Sequence, residues 1–411
     1  MAIDTLGANA LASNSVTTAK IANDAVTGAK IPADAVVAAD IADGSITTAK
    51  LADNSVTSAK SLNLGRRNLV INGGMRIAQR AGYNISTTGS PEFGGPDRFH
   101  VWSYTSSEEV VAAISQDTDV PSGQGFAHSY KLDVTTAESA VASNEALLIG
   151  TYLEAQNLQH LEYGTSSAKA ITLSFWIKST KTGTYCLSVT APDGSRNYIK
   201  EDTVSASNTW EKKEITIPGD QSGAINNDNG QGLWLQWVLM AGTDRHKAAD
   251  AWSGTTSDIA TSNQVNAVDN TSNNIYLTGV QLEVGSTATD FEHLSFTEDL
   301  ALCQRYFCQS YNYGTYAGAN TGGATALGKL ANGYNYDSIA QFQFPVEMRT
   351  GPTVTLYNPV SGTVNSFRGD STNYSTAAKH GATTRGVRIY RATAVGATVF
   401  TFIHATADAE L

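Results

Sequence analysis

The sequence predicts a mainly β protein: a repeat-built shaft, a β-sandwich of the jelly-roll type, a short helix and a second β domain. Three observations predict this. Five similar decapeptides follow one another between residues 11 and 60. Short runs of alternating apolar and polar residues recur after residue 97. Charged residues make up only 16% of the 411 residues and 36 residues are glycine, a composition that favours turn-rich β structure over helical bundles.

The shaft has a period of ten residues. Each decapeptide, from LASNSVTTAK to LADNSVTSAK, has Leu or Ile first, Val or Ile sixth and Ala ninth. A spacing of five puts the two large side chains on opposite faces of a strand, or about 140° apart on a helix. Because two such side chains cannot form a core within one chain, we expect several identical chains to share the apolar stripe; a disordered linker is the alternative. The stripe consists of Leu11, Val16, Ile21, Val26, Ile31, Val36, Ile41, Ile46, Leu51 and Val56.

Residues 61–296 are predicted to form the jelly-roll sandwich. The run at residues 171–178, ITLSFWIK, alternates as a strand does, and PDGS at 192–195 is a hairpin turn signal. Further strands are expected at 97–104, 109–115, 130–134, 184–190, 210–217, 233–240 and 275–283. Many short strands joined by polar turns are typical of sandwiches and jelly rolls.

A connecting helix is predicted at 297–310, followed by a C-terminal β tip domain at 311–411. Apolar residues recur at helical spacing at Phe296, Leu300, Cys303 and Phe307. Thr297 is the expected N-cap, and Cys303 is expected in the core. Strands are expected at 338–344, 353–357, 386–393 and 398–404.

Several classes of function are disfavoured by the sequence. Residues 61–296 hold 15 basic and 25 acidic side chains, and this net charge of −10 repels nucleic acid. No stretch approaches 18 apolar residues, so we expect no membrane insertion. The seven histidines show no metal-ligand spacing, and neither a nucleophile elbow nor a phosphate-binding loop occurs. We therefore expect neither catalytic residues nor a metal site, although two carboxylates facing one cleft would permit glycan cleavage.

The chain resembles phage tail-fibre proteins at several places in order. The run IADGSITTAKLADNSVTSAK resembles their N-terminal repeats. The segments NLVINGGMRIAQR, DRF, LSFWIKS, NIYLTGVQLEVGSTATDFE and LALCQRYF resemble phage tail proteins that contain a jelly roll like that of carbohydrate-binding modules. FPVEMRTGPTVT and ATADAEL resemble the terminal domain that follows it.

The resemblance implies a homotrimeric fibre in the virion, assembled in the host cytoplasm, that binds host surface polysaccharide. It also implies that residues 1–10 form a docking peptide for other phage tail proteins. It supplies no catalytic motif and implies no cofactor. Jelly rolls of this kind often hold structural calcium, for which Glu283 and Asp290 are candidate ligands; exposed carboxylates without a metal are the alternative.

A glycan site is predicted from strand parity on the sandwich. In 171–178 and 233–240 one face is purely apolar, and the other carries a Trp beside a polar side chain. Aromatic rings next to hydrogen-bonding groups suit a sugar ring. The predicted residues are Trp176, Lys178, Trp234 and Gln236, with Arg196 and Tyr198 on the neighbouring hairpin strand. Packing of these side chains against loops or another subunit is the alternative.

The sequence is therefore compatible with three functions. The first is a fibre that binds host glycan without cleaving it. The second is a purely structural tail or adaptor component that bridges other virion proteins. The third is a glycan depolymerase.

Overall fold

The computed structural model describes residues 66–411, except 86–88, 106–110, 324, 335–336, 393–394 and 397, together with residues 27, 31, 36–37, 40–42 and 45–46. The chain divides into two compact units, Met1–Leu64 and Gly65–Leu411. The predicted docking peptide and most of the predicted shaft lie outside the described residues. Four stripe residues are described, and they are 43–55% exposed in the single chain: Ile31, Val36, Ile41 and Ile46.

The Gly65–Leu411 unit is mainly β, as predicted, and its first part is a two-sheet sandwich. Its strands are β1 (Tyr83–Asn84), β2 (Pro91–Phe93), β3 (Phe99–Tyr104), β4 (Val111–Asp117), β5 (Ser129–Thr136), β6 (Ala146–Glu154), β7 (Ile171–Ser179), β8 (Gly183–Ala191), β9 (Arg196–Val204), β10 (Glu211–Ile217), β11 (Gln231–Ala241), β12 (Trp252–Ser253) and β13 (Asn274–Val284). A six-stranded sheet has the order β1-β4-β5-β13-β7-β10, and a seven-stranded sheet has the order β12-β9-β8-β11-β6-β3-β2. Short 3-10 helices lie at Ala155–Leu161 and Thr243–Arg245.

The two sheets pack face to face through the apolar faces that strand parity predicts. Leu173 and Phe175 of β7 and Leu235 and Trp237 of β11 belong to one buried cluster. The Phe175 and Trp237 rings meet edge to face, with centroids 5.5 Å apart. The opposite faces of β7 and β11 therefore point outward on opposite sides of the sandwich.

One α-helix, α1 (Phe296–Gln304), lies in the described part of the chain. The predicted cap at Thr297 is wrong. Ser295 is the N-cap: its side chain accepts a hydrogen bond from the Glu298 backbone, and the Glu298 carboxylate accepts one from the Ser295 backbone. Phe307 does not continue the helix but begins a strand, because the helix ends at Gln304. Cys303 is buried, as predicted.

The remaining strands pack around a second hydrophobic core. They are β14 (Phe307–Gln309), β15 (Leu327–Leu330), β16 (Ser338–Gln343), β17 (Thr353–Tyr357), β18 (Phe367–Gly369), β19 (Thr372–Tyr374), β20 (Ala377–Lys379), β21 (Gly386–Arg391) and β22 (Phe400–Asp408). Strand β22 is central, since β14, β15, β17 and β18 all pair with it. Strands β16, β21 and β20 form a separate three-stranded sheet. Among the residues described, no helix combines the length and apolarity that crossing a membrane requires.

Candidate functional site

Six aromatic side chains gather on the outer face of the seven-stranded sheet. Phe99 and Val101 of β3 point into the core, so His100 and Trp102 point outward. The register places Trp234 of β11 opposite Tyr152 of β6. We call the set the aromatic face; its members are Phe93, His100, Trp102, Tyr104, Tyr152 and Trp234.

The rings of the aromatic face contact one another in an unbroken series. The Trp102 and Tyr104 rings stack with centroids 4.8 Å apart, and Trp234 lies 5.9 Å from Trp102. Trp234 also meets Tyr152 edge to face at 5.8 Å, and Tyr152 stacks on His100 at 4.3 Å. Trp102, Tyr104 and Trp234 are half-buried. Part of each of these three rings is therefore accessible to solvent, while Trp102 and Tyr104 also pack against a buried cluster that includes Leu148 and Val238.

Glycine at position 150 makes room for this arrangement. Gly150 of β6 lies opposite His100 in the register. A Cβ atom at Gly150 would lie 2.6 Å from His100 Nε2, closer than real contacts allow. Any larger residue at position 150 would therefore displace the imidazole, on which Tyr152 stacks.

Two rings of the aromatic face carry buried hydrogen-bonding atoms that have no partner among the described residues. These atoms are both ring nitrogens of His100 and the indole N–H of Trp102. Burial, helped by the positive charge of Arg98, lowers the pKa of His100 to about 3, so the imidazole is neutral at physiological pH. Unpaired buried polar groups each cost about 1–3 kcal/mol. A polar ligand able to reach these atoms would recover part of that cost.

Polar side chains border the aromatic face. The Trp234 indole donates to Gln231 Oε1 at 3.0 Å, and Thr190 donates to Gln236 Oε1 at 3.3 Å. The Arg245 guanidinium lies 4.6 Å from the centroid of the Tyr104 ring. Half-buried aromatic rings beside amide and guanidinium groups suit a ligand that is apolar on its faces and polar at its edges, as a sugar ring is.

Of the six sequence-predicted glycan residues, Trp234 and Gln236 lie on this outer face, while Trp176 and Lys178 do not. Trp176 and Lys178 lie on β7, in the other sheet, and point away from the sandwich on its opposite side. There Lys178 is buried, forms an ion pair with Asp119 and lies 4.3 Å from the centroid of the Tyr276 ring. The expectation that the four residues share one surface is therefore not met.

Arg196 and Tyr198 do not reach the aromatic face either. Both residues lie on β9. The register places Tyr198 opposite Val189 of β8, and the side chains of Tyr198 and Val189 are buried in the core between the sheets. The Arg196 guanidinium donates to the buried carboxylate of Asp220 at 2.9 Å. Strand parity explains this, because these two residues point to the opposite face of the sheet from Trp234.

Sequence reasoning missed five members of the aromatic face. Strand β3 was predicted, and the alternation of its side chains puts His100, Trp102 and Tyr104 on one face. These three residues could therefore have been predicted from the sequence. Strand β6 was not predicted, because its sequence, ALLIGTYLE, does not alternate and every residue in it is buried. Tyr152 was therefore hidden from a parity argument, as was Phe93 on the three-residue strand β2.

The predicted calcium ligands are placed differently from each other. Asp290 is exposed, whereas Glu283 is buried. The alternative, that these are exposed carboxylates without a metal, is therefore wrong for the exposure of Glu283. Its carboxylate accepts hydrogen bonds from the Gln281 amide at 2.9 Å and from the Thr289 backbone at 3.0 Å. In the part of the chain that the structure describes, no group of three or more His, Cys, Asp or Glu side chains is arranged to hold a metal ion.

Comparison with known proteins finds similarity to solved structures only. No family model matches the chain, and no curated protein matches it. One similar structure is the enzymatically active domain of tailspike protein 4 of bacteriophage CBA120, at 12% identity and a TM-score of 0.28. That match covers 53% of this chain and only 21% of the tailspike chain.

Carbohydrate-binding modules are also among the similar structures. The family 11 module of a cellulosomal cellulase of Clostridium thermocellum shares 14% identity at a TM-score of 0.25, covering 51% of this chain and 100% of the module. The family 22 module of Xyn10B from the same organism shares 13% identity at 0.24, covering 43% and 84%. Similarities of this degree do not establish a shared ligand or activity.

Proposed function

We propose that the chain is a tail-fibre protein of a tailed bacteriophage that binds host surface polysaccharide through the aromatic face. The observation that carries the proposal is the series of half-buried and buried rings on one sheet face, bordered by amides. Stacking of a sugar on aromatic rings supplies affinity, and hydrogen bonds from the border supply specificity. Phage origin rests on the sequence resemblance and on the decapeptide repeats.

Binding without cleavage is the function that this surface supports best. Glycan hydrolysis requires two carboxylates that flank the scissile bond. The six members of the aromatic face carry no carboxylate. The nearby Glu154 carboxylate is already bound by the Arg305 guanidinium at 2.6 Å and by the Tyr306 hydroxyl at 2.7 Å, which suits a structural role.

The proposal includes a homotrimeric shaft over residues 11–60. The described stripe residues, Ile31, Val36, Ile41 and Ile46, are all exposed in a single chain. Regularly spaced exposed apolar residues are normally covered by another molecule. Identical repeats on identical chains provide the matching surface.

The first test replaces Trp234 with alanine. We expect binding of the variant to host cells, or to the polysaccharide extracted from them, to weaken by about 2 kcal/mol, roughly thirtyfold, because a central aromatic contact is lost. Binding is measured by biolayer interferometry with immobilised polysaccharide. The matched control is Trp176→Ala on the opposite face of the sandwich, which should bind as the wild type does.

Other outcomes of this test would point to other functions. Loss of binding in Trp176→Ala alone would move the glycan site to the six-stranded sheet. A wild-type protein that binds no host polysaccharide, yet is found in intact particles, would favour the purely structural role. Release of reducing ends from the polysaccharide would identify a depolymerase.

The second test concerns the shaft. Aspartate at the sixth position of all five repeats should dissociate the trimer, since buried charges without partners are costly. The substituted residues are Val16, Val26, Val36, Ile46 and Val56. Molar mass is measured by light scattering coupled to size-exclusion chromatography. The control places aspartate at the seventh position of the four repeats that carry threonine there, at Thr17, Thr27, Thr47 and Thr57, and should remain trimeric. Equal masses for both variants and the wild type would exclude the stripe as the interface.

A further inference from the structure

A groove of about 590 Å³ lies against the sheet formed by β14, β22 and β17. One of its lining residues, Arg80, lies 5.6 Å from the ring centroid of Phe93 in the aromatic face. Its floor follows from strand parity. Val354 and Leu356 of β17 point into the second core, so Thr353, Thr355 and Tyr357 point into the groove. We call this feature the threonine groove.

The floor of the threonine groove carries a regular set of polar groups. Across the β17–β22 pair, Thr355 lies opposite Thr406 and Thr353 lies opposite Asp408. Side chains opposite each other in an antiparallel pair lie about 5 Å apart. A threonine hydroxyl both donates and accepts hydrogen bonds. The threonine hydroxyls of the floor can therefore form hydrogen bonds with neighbouring hydroxyl groups of one ligand, either as donors or as acceptors.

The lining of the groove also includes aromatic and charged side chains. Tyr316, which is 41% exposed, and Tyr357 line it with aromatic rings. Elsewhere along the groove, the Arg80 guanidinium lies 3.7 Å from the centroid of the Phe307 ring and donates to the carboxylates of Asp408, at 3.0 Å, and Glu410, at 3.1 Å. These contacts fix Arg80 and leave no net positive charge around it.

These features select one class of ligand. Among the described residues that line the groove, Arg80 is the one cation, and two carboxylates already balance it; phosphates and acidic sugars gain nothing there. A floor of hydroxyls disfavours lipids and other apolar ligands. We propose that the threonine groove binds a short neutral oligosaccharide. This site is additional to the aromatic face and does not depend on it.

The experiment uses the full chain and an array that contains malto-, cello- and galacto-trioses together with sialylated and uronate-containing glycans. Thr355→Val combined with Thr406→Val removes both hydroxyls and keeps the shape of the side chains. We expect affinity for at least one neutral oligosaccharide to fall by about tenfold or more. Thr372→Val, the same change at an exposed position of β19 outside the groove, should leave binding unchanged. Thermal melting confirms that each variant is folded.

The outcomes separate the two sites. A neutral glycan that is lost in the groove variant but retained by Trp234→Ala supports the threonine groove, and it counts against the aromatic face as the site for that glycan. If every glycan bound by the wild type is retained by the groove variant, the groove proposal is wrong, whatever Trp234→Ala does. Loss confined to acidic glycans would overturn the proposed ligand class. A wild type that binds no neutral oligosaccharide on the array would overturn the groove proposal, while the aromatic face is judged separately by binding to host polysaccharide.

Discussion

Replacing Glu410 with alanine is expected to lower the free energy of unfolding by about 3–5 kcal/mol. The Glu410 carboxylate forms an ion pair with Arg98, whose side chain is only 1% exposed. The Arg98 guanidinium also donates a hydrogen bond to the Tyr152 carbonyl at 2.8 Å, which does not neutralise its charge. The variant therefore leaves a buried cation uncompensated. Urea denaturation followed by tryptophan fluorescence measures the loss.

A surface ion pair of the same chemistry provides the control. Glu347 and Arg385 lie 3.3 Å apart, with side chains 53% and 81% exposed. Glu347→Ala should change the free energy of unfolding by less than about 1 kcal/mol. Replacing both Arg98 and Glu410 with Met should cost less than Glu410→Ala, because no charge then remains buried. Equal losses for Glu410→Ala and Glu347→Ala would mean that solvent reaches Arg98.

Replacing Trp237 with alanine should also cost about 3–5 kcal/mol. Trp237 is buried between the two sheets, and its ring lies 5.5 Å from Phe175 and 6.4 Å from Phe99. Alanine would leave a cavity in the middle of the sandwich that rigid sheets cannot close. Thermal unfolding monitored by circular dichroism measures the effect, and the melting temperature should fall.

Phenylalanine at position 237 is the matched control. The Trp237 indole N–H is buried and has no hydrogen-bond partner in the described part of the chain. Trp237→Phe therefore removes no hydrogen bond and leaves a much smaller void, so it should cost far less than alanine. Equal costs would show that the N–H, not the volume, is what stabilises the core.

The sequence predicted the sandwich well where one face of a strand is apolar and the other is polar. Residues 171–178 and 233–240 alternate, and they form β7 and β11 with the predicted inner faces. Residues 275–283 likewise fall within β13. In each case apolar and polar side chains alternate with a period of two residues, and one face of the strand packs on the core. This alternation predicts both the strand and the face that points inward.

Prediction failed where a strand is covered on both faces or where a site depends on sheet order. Strand β6 is buried throughout, so its sequence carries no alternation to read. Trp176 and Trp234 looked equivalent, since each sits on the mixed face of its strand, but strand parity cannot say which sheet a strand joins. The helix cap was misplaced by two residues for a local reason: both Ser295 and Thr297 can cap, and the carboxylate of Glu298 decides for Ser295.

The ion pair between Arg98 and Glu410 also constrains how the protein is made. These two residues are 312 positions apart in sequence. At a ribosomal rate of about 5–20 residues per second, roughly 15–60 s pass between the synthesis of one and the other. Throughout that interval Arg98 lacks its carboxylate, so the sandwich strand that begins beside it cannot reach its final stability. The Gly65–Leu411 unit therefore reaches its final stability only after residue 410 has been synthesised and has left the ribosome.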